Sequence, residues 1–225
     1  MSEFDLVIFD CDGVLIDSEI ISARMLVAEL MRLGLTIDLA YVERNFLGRS
    51  YPVVMETIRR EFGLDLPPDF EAQYREALLA AFQQELKVVP HVQEVLSQIG
   101  VPFCVATSSS PRRVEMSLSL VGLAPLIGDK VFTSTLVARG KPAPDLFLHA
   151  AEKMGATPDR TLVIEDSLTG IRAGLAAGMT VWRFVGGSHL GATTPEEPQD
   201  ALPHRRLVSF ADFFQIAPGL GRQAA

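Results

Sequence analysis

The sequence predicts an α/β fold: a doubly wound parallel sheet with a small helical block inserted after its first strand. Three observations carry this. Short apolar runs occur at 6–9, 103–106, 162–164 and 180–184, and such runs suit strands buried on both faces of a parallel sheet. Helix-like stretches lie near 91–98, 112–120, 144–154 and 168–177. Their alternation with strands is the mark of βαβ units. From residue 18 to about 85 no buried strand is readable, and helical periodicity replaces it.

The elements follow in order. LVIF at 6–9 opens the sheet. Ile21, Met25, Leu26, Leu30 and Leu33 then mark one helix, Val53, Met55, Ile58 and Phe62 a second, and Phe70, Tyr74, Leu78, Leu79 and Phe82 a third. Gly34 and Pro67-Pro68 separate them. Residues 17–86 therefore form a helical cap, and 1–16 with 87–225 form the core. A cap entered from the end of the first strand covers the carboxyl edge, where open α/β sheets bind ligands. Gly100, Gly122, Gly155 and Gly178 fall just after helix patterns, at the place of a C′ glycine. The tail from Gly186 reads as loop, with a short strand at 206–208 and one turn at 211–214.

Composition narrows the function. Hydrophobic residues make up 48% of the 225, so the chain has the means to build a core and disorder is excluded. The net charge of -8 argues against nucleic acid and against an anionic membrane surface. It leaves room for a small phosphoester at a locally cationic site. Cys11 and Cys104 lie in apolar contexts and read as buried free thiols. The opening MSEFDLVIFD is acidic where a signal peptide is basic, and no run approaches the ~20 apolar residues of a membrane span. A cytoplasmic protein is expected.

Four strand ends carry polar groups. The first reads FDCDGVLIDSE, with Asp10 and Asp12 two apart. In extended chain such residues share a face, and paired carboxylates either hold a divalent cation or divide acid and base roles. The same DG between apolar runs is also a hairpin-turn signal. An EF-hand loop fits less well, because the twelfth position from Asp10 is Ile21. After the second strand comes Thr107-Ser108-Ser109-Ser110-Pro111. Ser110 suits an N-cap with Pro111 at N1, which leaves Thr107 unexplained unless its hydroxyl meets an anion. In RGKPAPD, Lys141 stands in a loop before a helix, either as a surface lysine or as a counter-charge for a phosphoryl oxygen. In LVIEDSLTGIRAG, Glu165 and Asp166 follow a strand, with Ser167 placed to cap the next helix. Acids there suit a helix N-terminus or a hard cation. A doubly wound sheet brings all four ends to one edge. Phosphoryl transfer asks for such an inventory: a nucleophile, charge neutralisation and little else.

The motifs FDCDGVLIDSE, VATSSS, GKPAPD and IEDSLTGIRAGLAAGM, in this order, resemble those of the haloacid dehalogenase superfamily, in the branch of β-phosphoglucomutase and phosphoglycolate phosphatase. The resemblance runs to about Phe184 and implies a Rossmann-like core with an inserted helical cap. It implies Asp10 as nucleophile and Asp12 as general acid/base, the Asp12 backbone carbonyl also binding Mg²⁺. It further implies Thr107, Ser108 and Lys141 around the transferring phosphoryl group, and Asp166 with Glu165 completing the metal site. The dehalogenase branch lacks the second acid of the first motif, so Asp12 disfavours dehalogenation. The mutases of the branch carry a histidine shortly after that motif, where SEIISARM has Ser22. That departure favours hydrolysis over a phosphosugar mutase. The opening FDCDG…DSE followed by SAR is also similar to bacterial 6-phosphogluconate phosphatases.

On the cap, Arg49 and Ser50 in FLGRSY are the expected substrate contacts, Arg49 through a carboxylate or distal phosphate, or else simply a solvated arginine. Glu19 and Arg24 are further candidates on the first cap helix. The expected partner is a small phosphoester, and the expected state a monomer or weak homodimer.

Overall fold

The computed structural model describes residues 3–46, 49, 51–190 and 197–222. Six parallel strands form one sheet in the order β3-β2-β1-β4-β5-β6. They are β1 (Leu6–Phe9), β2 (Phe103–Thr107), β3 (Val131–Thr133), β4 (Thr161–Glu165), β5 (Thr180–Phe184) and β6 (Arg205–Leu207). β1 is central: Val7 pairs with Phe103 and Leu162 on its two sides.

Continuous apolarity follows from this position. Val7 and Phe9 face one hydrophobic cluster, with Val105, Ile164 and Phe213. Leu6 and Ile8 face another, with Ala106, Val163, Phe147 and Val181. Alternate side chains of a strand point to opposite faces, so both faces must be apolar here. Each fully buried side chain of this size contributes about 1.5–3 kcal/mol. The first face is covered by α5 (Val92–Gln98), α6 (Pro111–Leu120), α7 (Ala124–Ile127) and α10 (Phe213–Ile216). The second is covered by α8 (Asp145–Lys153) and α9 (Leu168–Ala176). The charged residue within β5, Arg183, is buried and pairs with Glu197 at 2.8 Å. Hydrogen bonds from Arg206 and Arg183 pull the Glu197 carboxyl down to about 2.

Residues 19–85 hold α1 (Glu19–Arg32), α2 (Leu39–Asn45), α3 (Tyr51–Phe62) and α4 (Phe70–Glu85). These surround a third cluster of their own, including Leu26, Leu30, Val42, Ile58, Leu78 and Phe82. The chain enters and leaves the block side by side: Ile16 bridges Val88, and Asp17 N–H donates to Lys87 O at 2.9 Å. Among the described residues no helix is long and apolar enough to cross a membrane.

Several expectations need correction. Asp12-Gly13 does not open a hairpin, since both neighbours of β1 are distant strands. Gly122, Gly155 and Gly178 have positive φ, but Gly100 does not. There Ile99 is already extended, and Gly100 N–H donates to Leu220 O in the tail. Ser110 occupies the N-cap position of α6 without a side-chain cap bond, whereas Ser167 does cap α9 through Gly170 N–H. β6 begins one residue before the expected strand. Neither β3 nor α2 is legible in the sequence. β3 has three residues, two of them half-buried. α2 has seven and is set by its cap, Asp38 accepting from Tyr41 N–H at 2.6 Å.

Candidate active site

The carboxyl edge of the sheet gathers the motif residues. Asp10 follows β1 directly, Thr107 ends β2 and Glu165 ends β4. Lys141, in the loop before α8, reaches back to them. Its side chain is only 2% exposed, so the surface-lysine alternative is wrong. Nζ donates to Asp10 Oδ1 at 2.6 Å, to Glu165 Oε1 at 2.7 Å and to Ala106 O at 2.9 Å. Three donors thus meet three acceptors, which a buried ammonium requires. Glu165 Oε2 in turn accepts from Ser167 N–H and Oγ–H, both at 2.9 Å. A Cβ on Gly170 would overlap that carboxylate, so the glycine of DSLTG makes the approach possible.

Asp10, Glu165 and Asp166 each offer an oxygen within 4.8 Å of the others. Burial drives the Asp10 carboxyl well above its ordinary range, against Lys141, and Glu165, Asp166 and Asp12 add to the rise. Burial alone would discharge Lys141, but Asp10 and Glu165 outweigh it and raise its pKa. Three buried carboxylates against one ammonium leave an excess of two negative charges when all are ionised. A hard divalent cation with oxygen ligands fits that donor set.

Asp12 does not converge on this cluster as the i, i+2 spacing suggests. The chain leaves extended geometry after Asp10, and three donors capture the Asp12 carboxylate. Ser18 Oγ–H and Arg113 reach Oδ1, each at 2.6 Å, and Ser109 Oγ–H reaches Oδ2 at 2.6 Å. Burial would raise this group, but Arg113 and the two hydroxyls outweigh it and hold Asp12 below its ordinary range. Arg113 also donates to Ser22 Oγ on α1 at 3.1 Å and lies over the Phe82 ring of α4 at 5.3 Å. It is a residue of this site that the motifs do not announce. The one available signal is its charge: a cation in the first turn of a helix opposes the macrodipole. His189 is a second. It reaches Asp166 from the tail, Nε2 lying 2.9 Å from Oδ2. Burial lowers its pKa, but Asp166, Glu19 and Asp17 outweigh this and raise it.

A cavity of about 630 Å³ lies between this edge and the helical block. Asp10, Asp12, Thr107, Ser108, Lys141, Glu165 and Asp166 line its floor. Thr107 Oγ1 accepts from Ser109 N–H at 3.0 Å. Glu19, Ser22, Arg49, Tyr51, Tyr74 and Arg75 line the side of the block, and Arg112 joins from α6. Burial, with Asp12 and Asp166, pushes Glu19 up to about 7. Arg49 is exposed, and Ser50 lies outside the described residues. Arg24 does not line the cavity; it is exposed and paired with Glu85.

The fold and its edge define a doubly wound α/β protein whose polar groups converge below a cavity from several strands. Comparison sharpens that class. The profile of haloacid dehalogenase-like hydrolases matches residues 4–178. The chain is 31% identical over 217 residues to a 6-phosphogluconate phosphatase of Escherichia coli, covering 96% of this chain and 94% of that one. It is 30% identical to a phosphorylated carbohydrates phosphatase of Thermotoga maritima, covering 78% and 82%. A haloacid dehalogenase family hydrolase from Deinococcus radiodurans, solved with phosphate and sodium, superposes with a TM-score of 0.77 at 33% identity over the whole of both chains. The chain belongs to the haloacid dehalogenase-like hydrolase family.

Proposed function

We propose that the chain is a Mg²⁺-dependent phosphatase of small phosphorylated sugars or sugar acids, working through an aspartyl-phosphate on Asp10. The observation that carries this is the buried Asp10–Lys141 pair, with Glu165 and Asp166 in reach, at the floor of a cavity. Asp10, Glu165, Asp166 and the Asp12 carbonyl would hold the ion. Bound there, Mg²⁺ supplies charge neutralisation between the nucleophile and the phosphoryl oxygens.

The protein groups divide the remaining work. A carboxylate oxygen of Asp10 attacks phosphorus as the bond to the leaving oxygen breaks. Lys141, Thr107 and the Ser108 N–H steady the phosphoryl oxygens. Asp12 gives its proton to the leaving alkoxide, then takes one from the water that attacks the aspartyl-phosphate, returning Asp10 and releasing phosphate. Arg113, Ser18 and Ser109 hold Asp12 ionised here, the form that receives the proton from water. Donation requires it to leave Arg113 and take up a proton. The helical block, residues 17–86, acts as the cap that closes the cavity.

Two observations support a sugar or sugar-acid phosphate as substrate, and the first of them also favours hydrolysis over transfer. The relatives named above are phosphatases of phosphorylated sugars or sugar acids. Arg49, Arg75 and Arg112 also line the cavity, which suits a second anionic group on the substrate. A phosphoester panel assayed for phosphate and for isomers is the test. Phosphate release from phosphosugars or phosphosugar acids with Mg²⁺, abolished by EDTA, is expected. Release indifferent to EDTA, or isomer formed without phosphate, overturns the reading.

A further inference from the structure

The turn Ser188–Leu190 after β5 delivers a side chain that the mechanism above does not use. The His189 side chain is 6% exposed and lies outside the lining of the cavity, so it meets no substrate there. Its ring occupies a prepared slot. A Cβ on Gly187 would come within 2.6 Å of His189 Cε1 and 2.8 Å of Nδ1. A Cβ on Gly13 would come within 2.9 Å of Cε1 and would overlap Asp166 Oδ2. Two residues without side chains therefore bracket the imidazole and press it toward Asp166. Ser188 N–H and Oγ–H both donate to Asp17 Oδ1, at 3.2 and 2.8 Å, which ties the turn to the loop after Asp12.

The chemistry of the contact fixes its direction. At 2.9 Å a bare Nε2 lone pair would face the lone pairs of a carboxylate oxygen. The hydrogen therefore sits on Nε2 and points at Asp166 Oδ2. Among the described residues, buried Nδ1 has no hydrogen-bond partner, and the ring's hydrogen-bonding contact there is the one to Asp166.

We propose that His189 is a positioning residue for Asp166. It occupies Oδ2 and so fixes which oxygen Asp166 turns toward a divalent cation shared with Asp10 and Glu165. The proposal rests on reading those three acids as a cation site. Groups that orient metal-binding carboxylates in this way change affinity by about 10–100-fold when removed.

The test is calorimetric titration of the whole protein with Mg²⁺ and with Mn²⁺, and it needs no turnover. His189→Leu keeps the bulk without the donor, and His189→Gln keeps a donor near the place of Nε2. His189→Leu is expected to weaken binding by about 10–100-fold and His189→Gln to recover most of it, while melting temperatures in EDTA stay alike. Gly187→Ala, which displaces the ring, is expected to follow His189→Leu. Equal affinity in wild type, His189→Leu and His189→Gln overturns the proposal alone, as does equal weakening in the two His189 variants. A wild-type protein that binds neither ion, or an Asp166→Ala variant that binds as wild type does, overturns the cation site and the proposal with it.

Discussion

The two walls of the cavity are built on opposite rules. On the sheet side, the charged groups are buried, close together and already paired: Lys141 is held between Asp10 and Glu165, Asp12 by Arg113, and Asp166 by His189. On the helical side, Arg49 is exposed, and half-buried Arg75 has only a local pair, Glu71 one turn away at 2.5 Å, and lies over the Tyr51 ring at 5.5 Å. One wall is preorganised, the property that electrostatic catalysis needs. The other presents long cationic side chains on an apolar bundle. The contrast separates chemistry from selection. In the proposed function, the edge would act on the phosphoryl group and the block would bear on which molecule carries it.

Substitutions on each wall should therefore fail differently. The largest effect is expected from Asp10→Asn, which removes the proposed nucleophile. Phosphate release should drop on the order of 10⁴-fold or more, with far-ultraviolet dichroism unchanged; residual turnover near wild type would place the nucleophile elsewhere. Next is Lys141→Met, which leaves Asp10 and Glu165 buried without a counter-charge. A loss of about 3–5 kcal/mol is expected in urea unfolding with EDTA present. The sign with pH follows from Asp10, whose folded-state pKa lies above its unfolded value. Removing Lys141 raises it further, so the deficit tied to Asp10 is absent up to the wild-type folded-state pKa, where both folded proteins keep the proton, and grows as pH rises above it toward the variant's higher value. A deficit that is flat with pH would mean that Lys141 matters only through packing. The smallest effect is expected across the cavity. Arg49→Ala should raise KM about tenfold for a substrate with a second anionic group, the loss of one charge-assisted contact. For p-nitrophenyl phosphate, which has no second anion, KM should hardly move. Equal changes for both substrates would erase the distinction between the walls.

The same contrast explains what the sequence reveals. β1, β2, β4 and β5 are legible because a strand buried on both faces has no choice but to be apolar. Asp10, Thr107, Glu165 and Asp166 are legible because each polar residue stands where an apolar run stops. β3 is not, since three residues hold no period. The direction of Asp12 is not, because the two-residue rule holds only while the chain stays extended. Arg113 and His189 are hidden for a different reason. Arg113 meets Asp12 across 101 residues of chain, and His189 meets Asp166 from a loop without periodicity. Such pairings are properties of the folded surface. Only local oddities hint at them: a cation at a helix start, and two glycines just before a histidine.

The central place of β1 has a consequence in time. Its partners begin at residues 103 and 161. At about 5–20 residues per second of synthesis, the strand waits roughly 5–20 s for the first of them and longer for the second. The helical block draws all its buried apolar residues from 21–82, and its partner from later in the chain, Met116 on α6, follows soon after, so its wait is shorter. Asp10 therefore leaves the ribosome before any of the groups that will surround it on later strands. Until β4 has emerged, at least one edge of the four apolar residues that carry it is an unpaired strand edge, open to mispairing.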